Sequence, residues 1–188
     1  MERRIQPHQD RVRGLSSAST ADAVGGPLIA HCQTAGEKEH NIKTLTYSIR
    51  INAPKEAVWK HMLDPSDYRQ WTQAFSPNSQ FIGKWEQGET ILFIDPDLGG
   101  TKAVLDEVVP HERLKARHVA MINKDGSEDV SSEMAESWIG ATETYIFNGE
   151  NGQTELLIEM TTHENFEEMF NAGWPRALEL LKAVCESS

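Results

Sequence analysis

Cysteine is scarce: only Cys32 and Cys185 occur in 188 residues, which excludes a disulfide framework. Neither stands at CxxC spacing, so a thiolate metal site has no sequence support. Such usage suits a reducing compartment, and the expected location is the cytoplasm. Long apolar runs are also missing. None approaches the ~20 residues needed to cross a bilayer, and Arg3-Arg4 is not followed by the apolar segment of a secretory signal. Ser16, Ser17 and Ser19 resemble a transit peptide only faintly, and Glu2, Asp10 and Gly25-Gly26-Pro27 argue against one. Membrane insertion and secretion are not expected.

Positive charge is in deficit. Residues 1–41 hold five basic and five acidic side chains, so the whole net charge of −11 falls on residues 42–188, where 13 basic residues (18 less 5) face 24 acidic ones (29 less 5). A domain of that sign repels nucleic-acid phosphates and anionic lipid. Glycine-rich phosphate loops, dinucleotide fingerprints, zinc spacings and nucleophile motifs are absent as well, so neither a cofactor nor a metal is expected and no catalytic residue is assigned. His31-Cys32 and His40 lack a four-ligand set. The acidic residues between 125 and 136 lack the register and central glycine of an EF-hand loop.

Residues 1–41 show no period and few large apolar groups, and read as a disordered extension. Structural signal begins at Ile42. Leu45, Tyr47, Ile49 and Ile51 alternate with polar residues in a half-buried strand. Pro54 presets a short helix with Val58, Trp59, Met62 and Leu63 on its apolar face, and Asp64-Pro65 opens a second, ending at Trp71. Strands follow at 80–82, 90–94, 102–109, 114–121, 142–147 and 155–160, with Asp95-Pro96-Asp97 as turn chemistry and 123–137 as an acidic surface insertion. The chain closes with an amphipathic helix over 165–185, its stripe carrying Phe166, Met169, Phe170, Gly173, Ala177, Leu181 and Val184. Thr161 and Glu164, or Asn165, are its candidate caps. Pro175 predicts a kink, or a fresh helix beginning there. The order β-α-α-β6-α predicts an α+β fold, a meandering antiparallel sheet covered by the last helix.

The segments 49–59, Asp64-Pro65, Tyr68-Arg69-Gln70-Trp71, Val108-Val109-Pro110, Arg113-Leu114 and Gly173-Trp174-Pro175-Arg176-Ala177-Leu178 resemble the START-like helix-grip superfamily. They are most similar to bacterial domains resembling the C-terminal part of activators of the ninety-kilodalton heat-shock protein ATPase. The resemblance covers about residues 42–186. It implies a seven-stranded sheet gripping the C-terminal helix around an apolar cavity.

Candidate cavity residues are Trp71, Trp85, Phe93, His118, Met121, Tyr145, Phe166, Phe170 and Trp174. Trp59 reads as core and Trp138 as a lid. His61 and His118 are the histidines on regular elements able to act near pH 7. Since His118 adjoins Arg117 on one strand, one of the two must face outward. Three functions remain open. The first is a domain enclosing an apolar lipid or polyketide-like molecule, oriented by Tyr145, Arg113 or His118. The second is a co-chaperone-like module that stimulates a chaperone ATPase in the stress response. The third is a cyclase or hydrolase using polar groups of the cavity.

Overall fold

The protein is described from a computed structural model covering residues 41–187. Residues 1–40 of the expected extension, with His31, Cys32 and His40, lie outside the described residues.

Alternation makes the first strand, β1 (Ile42–Ile51), with Leu45 and Ile51 buried and the intervening residues exposed or half-buried. Two short helices follow, α1 (Lys55–Leu63) and α2 (Pro65–Thr72). Asp64 caps α2 by accepting from the Ser66 and Asp67 N–H groups, with Pro65 at the first helical position where its missing N–H is harmless. The chain then runs as a meander: β2 (Gln80–Gly83), β3 (Thr90–Asp95), β4 (Gly99–Val109) and β5 (Arg113–Ile122). Asp95 accepts from the Asp97 N–H at 2.8 Å and tightens the β3–β4 turn.

Residues 123–137 are not simply a surface insertion. Two of them form β6 (Glu128–Asp129) against β5, and Ser132 caps α3 (Glu133–Trp138), which buries Ala135 and Trp138 against the sheet. Asp125 and Asp129 hold the turns on either side. The last strands are β7 (Thr142–Glu150) and β8 (Gln153–His163). All pairs are antiparallel in the order β1-β8-β7-β5-β4-β3-β2, with β6 joined to β5, so the expected seven strands gain a two-residue eighth.

After a 3-10 turn at Glu164–Phe166, α4 (Glu167–Glu186) crosses the sheet. Neither expected cap starts it. Thr161 belongs to β8 and its hydroxyl bonds with Thr142, whereas the His163 ring accepts from the Asn165 N–H. Pro175 lies inside one unbroken helix rather than opening a fresh one. Its absent N–H forgoes only the bond to the Asn171 carbonyl, and contacts on both sides hold the helix through that point. Trp174 donates to Met160 Sδ at 3.2 Å and Tyr47 donates to Asn171 Oδ1 at 2.8 Å. Phe170, Trp174, Ala177, Leu178 and Leu181 are buried, forming the main core with Ile51, Leu114, Leu156 and Ile158. Solvent-facing positions of β4 and β5 carry ion pairs instead, among them Arg117–Asp106 and Arg113–Glu107.

Candidate functional site

Alternation on β7 puts Glu143 and Tyr145 on one face, two residues apart. On the neighbouring strand β5, Ala116 pairs with Glu143 and Leu114 with Tyr145, and His118 is the next residue on that same face. Ala116 is small enough to leave room above it. The Glu143 carboxylate therefore accepts from His118 Nε2 at 3.2 Å through one oxygen and from the Tyr145 hydroxyl at 2.5 Å through the other. A register shift between Lys102 and Ala103 leaves Val119 without a β4 partner, and such bulges bend the strand and re-aim the side chains beside them. The backbone of His118 is held from the other side, donating to the Ala141 carbonyl and accepting from Gly140, both at 2.9 Å.

Burial of this cluster is severe: His118 is 2% exposed and the Glu143 side chain 13%. Burial alone pushes the Glu143 carboxyl up, but the hydrogen bond from His118, the charge the imidazole carries when protonated, and the hydroxyl of Tyr145 outweigh it and hold the group below its ordinary value. Burial, then the adjacent carboxylate, push Tyr145 well above the usual phenol range, so it remains a donor. Two polar atoms in this neighbourhood have no hydrogen-bond partner among the described residues: His118 Nδ1 and Trp138 Nε1. Their rings meet edge-on with centroids 5.2 Å apart.

The cluster forms one wall of a cavity of about 170 Å³ between the sheet, α2 and α4. The remaining walls are mostly aromatic, from Tyr68, Trp71, Phe93, Trp138, Phe170 and Trp174, with Thr72, Ser79 and Thr101 as further polar groups. Phe75 and Met169 line it while remaining 37% and 47% exposed, which makes them its lip. Among the described residues, no three His, Cys, Asp or Glu side chains are grouped to hold a metal.

Six expected residues are thus brought together: Trp71, Phe93, His118, Tyr145, Phe170 and Trp174. Three are not. Trp85 packs on Phe93 and Phe81, Phe166 meets Trp138 edge-on outside the lining, and Met121, opposite Thr101, packs against the core without lining the cavity. Arg113 points to solvent and pairs with Glu107 at 3.0 Å, so it does not orient anything inside. His118 turns inward and Arg117 outward, where Asp106 holds it at 2.9 Å. His61 is occupied by Asp67 at 2.8 Å, away from the cavity. Trp138 is wall rather than exposed lid, at 7% exposure. Trp59 is half-buried, packed on Phe147 and His111. Sequence reasoning missed Tyr68, Thr72, Phe75, Ser79, Thr101 and Met169 in the lining and, at the centre of the polar cluster, Glu143. Its signal was there, since period two places it on the face of Tyr145 and Phe147.

Residues 52–186 match the family described as Activator of Hsp90 ATPase homolog 1-like protein. The chain belongs to this family. Among curated proteins, none matches it. Solved structures share its fold, an antiparallel sheet crossed by a long C-terminal helix. Protein MLL2253 from Mesorhizobium loti has a TM-score of 0.62 at 14% identity, covering 78% of this chain and 98% of that one. The Aha1 dimer from Colwellia psychrerythraea has a TM-score of 0.56 at 21% identity, covering 77% and 96%. DynU16, from the dynemicin biosynthetic locus, has a TM-score of 0.57 at 18% identity; the match covers 76% of this chain but 47% of DynU16, about half its length. At these identities the likeness is one of fold. No helix among the described residues is long and apolar enough to cross a membrane.

Proposed function

We propose that this domain encloses a small apolar molecule between the sheet and the C-terminal helix. The observation that carries the reading is the cavity, with its mostly aromatic walls and a few polar groups, chief among them the His118–Glu143–Tyr145 cluster at one side. Ligand sites combine those two features, burial for affinity and a few polar groups for orientation. Size narrows the choice. A cavity of about 150 Å³ accepts benzene, so about 170 Å³ accommodates one ring. A lipid or polyketide-like molecule fits only once Phe75 and Met169 swing out of the lip. The place of DynU16 in a biosynthetic locus agrees with small-molecule work on this fold.

Native mass spectrometry before and after solvent extraction tests this. Bound mass of one to a few hundred daltons that extraction removes is the expected result. Filling the cavity by Phe170→Trp should then abolish uptake while circular dichroism stays unchanged. Unchanged uptake in that variant overturns the assignment.

The family match favours a second reading, a module that stimulates a chaperone ATPase in the stress response. It predicts faster ATP hydrolysis by a purified ninety-kilodalton heat-shock protein when the domain is added. No stimulation at stoichiometric excess eliminates it.

A further inference from the structure

The cavity contains a specific deficiency that no apolar ligand repairs. Each Glu143 oxygen already accepts one bond, from His118 Nε2 and from the Tyr145 hydroxyl. When the imidazole is neutral, a carboxylate accepting from Nε2 fixes the Nε2–H tautomer and leaves Nδ1 as a lone-pair acceptor. That atom is buried in a residue 2% exposed and has no partner among the described residues. Trp138 Nε1, a donor with no acceptor capacity, is likewise buried and unpartnered in the same wall. The two rings are in edge contact, with centroids 5.2 Å apart. Buried polar groups are normally satisfied, and an unmet one disfavours the state that contains it.

One acceptor and one donor on rings in contact call for a group that both donates and accepts. A carbonyl or ether accepts only, and an ammonium donates only. A hydroxyl does both. The surrounding walls admit a flat ring, since Phe93, Phe170 and Trp174 bound a space of about 170 Å³. Resting on the binding reading above, we infer that the ligand presents a hydroxylated ring, phenol-like in chemistry, whose O–H donates to His118 Nδ1 while its oxygen accepts from Trp138 Nε1–H. Glu143 and Tyr145 are positioning residues here. They hold the imidazole in the tautomer that reads the hydroxyl.

Phenol and toluene test this because they differ little in shape and only phenol can hydrogen-bond. Both would be titrated into the 188-residue chain and followed by the indole N–H resonances in two-dimensional NMR. Phenol should bind at least about tenfold more tightly, the factor expected for one to two net hydrogen bonds, and it should move the Trp138 indole N–H resonance downfield. His118→Gln puts an amide nitrogen in the place of Nε2, keeping the bond to Glu143, and has nothing in the place of Nδ1. It should bind toluene as before and lose the preference for phenol. Trp138→Phe gives an independent check and should reduce the preference in part. Equal or tighter binding of toluene by the unaltered chain overturns the hydroxyl assignment and leaves the cavity reading standing, as does a phenol preference that survives both substitutions. Binding of neither probe overturns the cavity reading itself.

Discussion

A carboxylate set among aromatic rings stays ionised only while its oxygens are occupied, and in Glu143 the occupants are His118 and Tyr145. Replacing it by Glu143→Gln removes the charge from both bonds and should destabilise the domain by about 1–3 kcal/mol at neutral pH. Because its folded-state pKa lies below the ordinary 4.5, this group contributes stability that is fully present above that value and lost as pH falls through the folded one. The gap between wild type and variant in urea melts should therefore narrow below about pH 4.5. A gap that persists unchanged to pH 3 contradicts the assignment. Cys185 offers a second reading at this scale. Burial, then the charges of Asp67 and Glu186, push its thiol up to about 12. In a Cys32→Ser background at pH 8, a disulfide reagent should label it no faster than the protein unfolds. Rapid labelling of the native state would sink the claim. Alternation predicted that only one of Arg117 and His118 faces inward. Which one turned on the sheet's other face, where Asp106 waits for a cation.

Close approach of elements sets two glycines apart. A Cβ at Gly100 would stand 2.0 Å from the Phe93 carbonyl oxygen and 2.7 Å from the Ile94 Cα, both main chain of the paired strand β3. Nothing there can move without separating the hairpin, and Gly100→Ala should cost about 1–3 kcal/mol or more. At Gly173, in α4, the Cβ would meet the Phe75 ring at 2.3 Å, a side chain at the lip with room to swing toward solvent. Ala is also the better helix former, by roughly 0.5–1 kcal/mol, so Gly173→Ala should leave the melting temperature nearly unchanged while displacing Phe75 and hastening phenol release. Thermal melts of the two variants check the contrast, and equal destabilisation would refute it. Helix, strand and cap positions were largely legible, because period, Asp64-Pro65 and the Asp95 turn are local signals. The cap of α4 was not, since Thr161 was drawn into β8 by its pairing with Thr142.

The surplus of acidic groups acts on the molecule as a whole. With −11 formal charges on the chain, self-repulsion disfavours the compact state, and raising salt from about 0.01 M to 0.15 M shortens the screening length from roughly 30 Å to 8 Å. The urea midpoint should rise across that range. A midpoint that falls would mean that the surface ion pairs, such as Arg117–Asp106, outweigh the repulsion. What the sequence by itself determined is the fold and the half of each element that turns inward, because periods of two and 3.6 are carried by neighbours along the chain. Only the tertiary structure decided that Glu143 reaches His118, that Trp138 is wall, and that Met121, Trp85 and Phe166 pack outside the cavity. Those outcomes depend on the β5 bulge, the register of β5 on β7 and the seating of α4. These are long-range pairings whose energies come from residues far apart in the chain, so no local pattern records them.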